Sequence, residues 1–400
     1  MGELSSNERA VVERAGAEPM LDQVLAWAAV NSGSRNLAGL ETMAGLLADA
    51  FGALPGRLNL TEPASVTSVD AAGRTQGIGH GKHLHLAVRP DAPVQLLFTG
   101  HMDTVYGADH AFQATRWTEE GILNGPGVAD MKGGIAVMLA ALKAVETSEL
   151  AGHIGYEVLI NSDEEVGSPA STALLAEAAR GKRAALTYEP AALPDGTLAG
   201  ARPGSGNFDF VIRGRSAHAG RNPEDGRNAI VAASELALRL AMSKTPGLSI
   251  NPARIDGGSP NNVVPDLAIL RVNLRPRTTD DQEIATRLIA KALDETAAAH
   301  DVYIEAHGGF GRPPKPLDEE AEALFKLVSQ AGADLGQTIG WQPSGGVCDG
   351  NNIAACGVPV VDTMGVRGGK IHSEEEYLIV ESLAERAALS ALTIMRLAQP

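Results

Sequence analysis

The sequence predicts an α/β protein in two parts: a mostly parallel sheet flanked by helices, interrupted by an inserted βαββαβ unit. Two observations predict it. Through about residue 190, short apolar runs of strand length alternate with helical patterns, the order that builds a parallel layer. After about residue 200, strands of period two appear in the order β-α-β-β-α-β, the ferredoxin-like signature. At roughly 100–200 residues per domain, a chain of 400 residues accommodates both units, and a hydrophobic fraction of 44% supplies their cores.

Residues 1–17 are polar and read as a loose lead-in. Helical periodicity follows over 20–30 and 40–54, then strands over 82–88 and 94–99. A glycine-punctuated loop, 124–130, leads into Gly133-Gly134 and an apolar helix over 135–145. A strand over 156–160, a helix over 170–180 and a strand over 184–188 complete this first part. In the insert, Phe208, Phe210 and Ile212 share one face of a strand over 207–213. A helix over 227–242 and a strand over 248–255 follow. The next strand, 266–275, puts Ala268, Leu270, Val272 and Leu274 on one face. A helix over 280–299 and a strand over 302–306 close the unit, and Pro313-Pro314-Lys315-Pro316 marks the return crossing. The expected boundaries are therefore 1–199 and 312–400 for the two pieces of the first domain and 200–311 for the insert. The last piece is expected to supply two helices and more strand.

The charge balance excludes some partners. Lys plus Arg is 33 against 49 for Asp plus Glu, a net charge of −16. That is the wrong sign for nucleic acid or an anionic membrane surface. No apolar run of about 18 residues exists to span a bilayer, and residues 1–16 show no apolar signal region. Two cysteines, Cys348 and Cys356, make no disulfide framework. The expectation is a cytoplasmic protein.

The chemistry gathers in polar clusters placed just after strands: Gly100-His101-Met102-Asp103-Thr104, Asp130, Ser162-Asp163-Glu164-Glu165, Glu189-Pro190 and His372. In an open α/β sheet the carboxyl ends of parallel strands line the ligand crevice, so clusters far apart in sequence can meet there. Any one of them alone reads equally well as a solvated turn or a helix cap. Two imidazoles and several carboxylates together suit zinc, with manganese or cobalt as alternatives. One zinc needs only three protein ligands; five candidates point to two metals sharing a bridging carboxylate, able to activate water and polarise a carbonyl. Asp103, two residues from His101, is placed to orient that imidazole.

The motifs Gly100-His-Met-Asp-Thr-Val105, Gly125-Pro-Gly-Val-Ala-Asp-Met-Lys-Gly-Gly134, Asp163-Glu-Glu-Val-Gly167, Glu189-Pro190 and Ser216-Ala-His-Ala-Gly220 occur in this order. Together they resemble the M20 family of dinuclear zinc peptidases and aminoacylases. That family includes glutamate carboxypeptidases, succinyl-diaminopimelate desuccinylases and acetylornithine deacetylases. The resemblance runs from about residue 20 to the C-terminus and is nearest to the glutamate carboxypeptidase branch. It implies His101 and Glu189 on one metal, Glu165 and His372 on the other, Asp130 bridging, Asp103 behind His101 and Glu164 as general base. It implies an inserted lid that forms a homodimer, with His218 reaching the partner subunit's site to stabilise the oxyanion. It places Asn262 and the Gly345-Gly346 loop at the substrate. Cys348 stands where relatives commonly carry Thr or Ser, and its expected role is that of a small buried residue. Arg275, at the end of a lid strand, and Arg312 are the candidates for a substrate carboxylate.

The implied activity is hydrolysis of the amide bond of an N-acyl amino acid or small peptide. A deacetylase, desuccinylase or dipeptidase would use the same residues. A serine hydrolase would need Gly-x-Ser-x-Gly, a nicotinamide enzyme Gly-x-Gly-x-x-Gly after the first strand, and a helical zincin His-Glu-x-x-His; none of these patterns occurs. A metal-binding scaffold acting through its lid is the non-enzyme alternative, and the intact Glu164 argues against it.

Overall fold

The computed structural model describes residues 4–399. Its central sheet has six strands in the order Arg57–Thr61, His83–Val88, Ile154–Asn161, Val94–His101, Ala184–Thr187 and Val360–Val361. The last four run parallel to one another, and the first two add on antiparallel. Register matters most at the carboxyl ends: His101 lies opposite Asn161, and Thr99 opposite Thr187. The turns that follow these strands therefore start side by side.

The helix Gly133–Val145 is buried on nearly all sides, as its unbroken apolar sequence requires. It begins at the two glycines rather than after them. A Cβ on Gly134 would sit 1.9 Å from the carbonyl oxygen of Tyr188, so only glycine lets this helix lie against the strand end that carries Glu189. The helices Ser6–Ala17 and Glu381–Leu397 pack with it.

The first of these corrects the expectation of a loose lead-in. Ser5 caps the helix by accepting from the Glu8 N–H at 3.2 Å, and the Glu8 carboxylate answers to the Ser5 N–H at 2.8 Å. Val11 and Ala15 then bury against the core. The final piece also holds three helices, not two: Glu319–Asp334, Asp349–Ala354 and Glu381–Leu397.

The inserted elements form a four-stranded antiparallel sheet in the order Leu248–Gly257, Leu267–Pro276, Ser205–Arg213 and Tyr303–Arg312. The helices Ala229–Met242 and Thr279–His300 pack together and against this sheet. Phe210, Ile212, Leu270, Val272 and Leu274 face them, as the alternation predicts. The last strand runs beyond the expected 306 and ends at Arg312, which delivers that side chain to the cleft. Where the chain leaves and re-enters the larger sheet, Arg202 and Lys315 pair through both backbone hydrogen bonds, at 2.9 and 3.0 Å. Both side chains end on the buried Asp362. No described helix is long and apolar enough to cross a membrane.

Candidate dinuclear metal centre

Three parallel strand ends and two loops bring the polar clusters together. His101 ends one strand, Glu164 and Glu165 follow Ile154–Asn161, and Glu189 follows Ala184–Thr187. Asp130 lies in the loop before the buried helix, joined to Met131 by a cis peptide. Its carboxylate sits between the two histidines. Oδ1 is 3.1 Å from His101 Nε2, and Oδ2 is 3.2 Å from His372 Nε2. Each imidazole nitrogen faces one further carboxylate: Glu189 at 3.6 Å from His101 and Glu165 at 3.2 Å from His372. His101, Asp130 and Glu165 lie close enough to hold one ion, as do His101, Glu164 and Glu189.

Electrostatics make the same point. Burial, with the charge of Asp130, pushes the Glu165 carboxyl up to about 7. Burial likewise raises Glu189, and lifts Glu164 well above the usual carboxylate range against the pull of Arg312. Hydrogen bonds that His372 donates to the carboxylates of Asp130 and Glu165 carry it up to about 11. Burial opposes charge on His101, yet Glu189 and its other acidic neighbours hold it well above the ordinary imidazole value. Asp130 stays below its ordinary value, because the two histidines outweigh its burial. Four carboxylates crowded in so dry a place call for added positive charge, which a pair of divalent ions supplies. The oxygen and nitrogen donor set fits zinc, cobalt or manganese.

Asp103 stands behind His101 and ties it to the neighbouring glutamate turn. His101 Nδ1 lies 2.9 Å from the Asp103 main-chain oxygen and 3.5 Å from its carboxylate. The carboxylate also accepts from Ser34 Oγ at 2.7 Å and from the N–H groups of Glu164 and Glu165 at 3.1 and 3.2 Å. It pins the turn on which both glutamates stand.

Two cavities flank the cluster. One, of about 410 Å³, is lined by Asp130, Glu164, Glu189, Arg202 and Cys348 among others. The other, of about 720 Å³, lies between the cluster and the lid, and Glu164, Glu165, His372, Asn207, Asn273 and Arg275 face it. Arg275 donates to Asn273 Oδ1 and the Gly345 carbonyl, both at 3.1 Å, and has no acidic partner among the described residues. Gly346 is exposed; its carbonyl accepts from Arg202, and its neighbours Ser344 and Val347 line the smaller cavity.

Arg312 departs from expectation. It is buried, and its guanidinium is spent on Glu164 Oε1 at 2.6 Å, Asp349 Oδ1 at 2.7 Å and Asn352 Oδ1 at 2.8 Å. It holds the glutamate rather than waiting for a substrate carboxylate. The structure also leaves His218 and Asn262 away from the cluster within one chain. Both are exposed on the lid, joined by the Ala219 N–H to Asn262 carbonyl bond of 2.9 Å, and neither lines either cavity. Sequence reasoning passed over Glu376, Tyr106 and Arg202. Only Glu376 left a trace, as one of three glutamates after His372.

Residues 97–396 match the profile of peptidase family M20/M25/M40. Carboxypeptidase G2 of Pseudomonas sp. (strain RS-16) is 31% identical over 332 residues, covering 81% of this chain and 79% of that protein. Succinyl-diaminopimelate desuccinylase of Pseudomonas fluorescens is 28% identical over 358 residues, covering 84% and 88%. Among solved structures, a tripeptidase from Staphylococcus aureus shares the fold with a TM-score of 0.72 at 23% identity, covering 97% of this chain and 99% of that one. An M20 metallo-carboxypeptidase from Sulfolobus solfataricus does so with a TM-score of 0.70 at 15% identity, covering 95% and 99%. With the profile spanning most of the chain and a relative above 30% identity, this protein belongs to peptidase family M20/M25/M40 and is a metal-dependent hydrolase of the peptide or acyl amino acid type.

Proposed function

We propose that the enzyme hydrolyses the amide bond of an N-acyl amino acid or short peptide that keeps a free carboxylate beside the scissile bond, in the manner of a glutamate carboxypeptidase. The observation that carries this reading is the larger cavity, in which Glu164, Glu165 and His372 share a wall with Arg275, which has no acidic partner among the described residues. His101 and Glu189 would hold one divalent ion, Glu165 and His372 the other, and Asp130 both; zinc is our choice, with cobalt or manganese as replacements. Such a pair, when bound, activates water and polarises a carbonyl.

The chain's own groups do the rest. Glu164 takes the proton of the attacking water and passes it to the leaving nitrogen. Its burial raises its proton affinity, and Arg312 keeps its carboxylate aimed. Arg275 pairs with the substrate carboxylate, and Asn207 and Asn273 lie beside it. The test is a panel of N-acyl amino acids and dipeptides, each with its carboxylate free or amidated, assayed before and after chelation. The expected result is preference for the free acid, activity lost with the metal, and activity restored by zinc, cobalt or manganese. Full activity after verified metal removal, or indifference to amidation, refutes the reading.

The lid is read as the surface of a homodimer, with His218 reaching the partner subunit's site. Three features support this. The strand Leu248–Gly257 is a sheet edge. Val231, Leu238 and Met242 form an exposed apolar stripe along one helix, Met242 being 83% exposed. His218 lines neither of the two cavities that flank its own chain's cluster. Sedimentation of the protein as an active monomer would remove this assignment. Two unpaired cysteines suit the cytoplasm, where we place the enzyme.

A further inference from the structure

The loop that carries Asp130 and the loop that carries His372 lie 242 residues apart in sequence, yet one side chain joins them. Glu376 is 1% exposed. Its Oε1 accepts from the N–H groups of Ala129 at 3.0 Å and Asp130 at 3.1 Å. Its Oε2 accepts from the Gly127 N–H at 3.2 Å and from the Tyr106 hydroxyl at 3.0 Å. That hydroxyl also lies 2.8 Å from the Ser373 carbonyl, next to His372. Asn124 completes the clasp by donating to the carbonyls of Glu374 at 3.0 Å and Glu376 at 2.7 Å. No lysine or arginine pairs with Glu376 among the described residues. The buried Lys132 feels the charge of Glu376 but makes no contact ion pair with it, and a carboxylate taken this far from water without a cation in contact is costly; three backbone N–H groups and a phenol are what it receives in return.

We infer that Glu376 is a positioning residue of the dinuclear centre. It sets the distance between Asp130 and His372 by fastening their two loops to one carboxylate, although it is itself none of the proposed metal-holding groups. The inference rests on the dinuclear reading of the site. The geometry explains why a side chain that touches no substrate is buried here as an acid. An apolar residue of the same size would leave three inward N–H groups unpaired, and an amide could accept at only one of its two positions. Groups that orient metal-holding residues from behind typically change metal affinity about 10–100-fold when altered. Losing the clasp frees the His372 loop first, because His372 is the more exposed of the two imidazoles, with 53% of its side chain accessible against 1% for His101. The ion shared by Glu165 and His372 is therefore the one weakened.

The experiment titrates metal-free full-length protein with Co²⁺ and follows its visible absorption, without substrate. The unaltered protein is expected to take up two equivalents. Glu376→Gln is expected to bind the first equivalent normally and the second about 10–100-fold more weakly, with an altered spectrum for that ion. In turnover assays kcat falls while KM holds, since the substrate-facing Arg275 is untouched. Tyr106→Phe removes one of the four donors and is expected to give a smaller loss in the same step; it decides the matter if Glu376→Gln fails to fold. Wild-type affinity and spectrum for both ions in whichever of the two variants folds, or in both, overturns the inference. An unaltered protein that binds fewer than two ions overturns the dinuclear reading instead.

Discussion

Replacing Arg275 by glutamine tests the substrate side of the site most sharply. In the structure the guanidinium is half-buried at the end of the strand Leu267–Pro276 and spends Nε on Asn273 and one terminal nitrogen on the Gly345 carbonyl. The second terminal nitrogen has no partner among the described residues, so a carboxylate entering the lid-side cavity can meet it together with the cation's charge. Hydrogen bonds to charged groups contribute about 1.5–3 kcal/mol. At about 1.4 kcal/mol per factor of ten, that is roughly a 10- to 150-fold loss in kcat/KM for Arg275→Gln on a free-acid substrate. On the carboxamide of the same substrate, the unaltered enzyme already lacks the ion pair, and the substitution should change kcat/KM by less than about threefold, the usual scatter of such contributions. The assay is a four-way comparison of two enzymes and two substrates, which isolates the pair from any general effect on the loop at Gly345. Equal losses on acid and amide would show that Arg275 shapes the cavity without recognising the carboxylate, and the reasoning would fail.

Two other outcomes follow from the same geometry. Glu164→Gln keeps the bond to Arg312 but cannot carry a proton, so kcat should fall by about 10²–10⁴ with metal content preserved; activity within tenfold of the unaltered enzyme would remove Glu164 from the proton path. Asp362 is wholly buried, and Arg202 and Lys315 hold its carboxyl down at about 2 despite its burial. A lowered carboxylate stabilises the fold above its ordinary value of 3.8 and loses that contribution as pH falls through about 2, so melting temperature should decline across that window. Asp362→Asn leaves two buried cations short of a partner and should cost about 3–5 kcal/mol near neutral pH, with a flatter acid profile; an unchanged melting curve would contradict it.

How much of this was legible in the residues depended on the range of the forces involved. Strand and helix placement followed from period two or period 3.6 in stretches such as 207–213 and 266–275, because burying one face is a local demand on a strand. The N-terminal helix carried its signal too, in Ser5 and Glu8, but its low hydrophobicity hid it; only two buried apolar side chains, Val11 and Ala15, and the neighbouring helix Glu381–Leu397 make it part of the core. The short strand Arg57–Thr61 was not legible, since it is an edge with two half-buried positions and no clean alternation. At the site, residue types and their places after strands announced metal chemistry, yet not which acid faces inward. Of Glu374, Glu375 and Glu376, only the last is buried, and that follows from where the loop 124–130 lies. Arg312 was readable as a cation, but its partner was not, because the strand that ends there runs six residues longer than its alternating part shows.

The chain's order of residues was enough to predict the α/β class, the inserted βαββαβ unit and the candidate donors, since each depends on side-chain periodicity or on chemistry carried by the residue type. The positions of those donors relative to one another came from the folded molecule alone. Asp130 meets His372, Arg312 holds Glu164 and Asp103 pins the turn beneath both glutamates because parallel strands end in register and a lid strand ends beside them. Such meetings are set by packing between segments far apart in sequence, and no local pattern records the direction in which a side chain leaves the end of a strand.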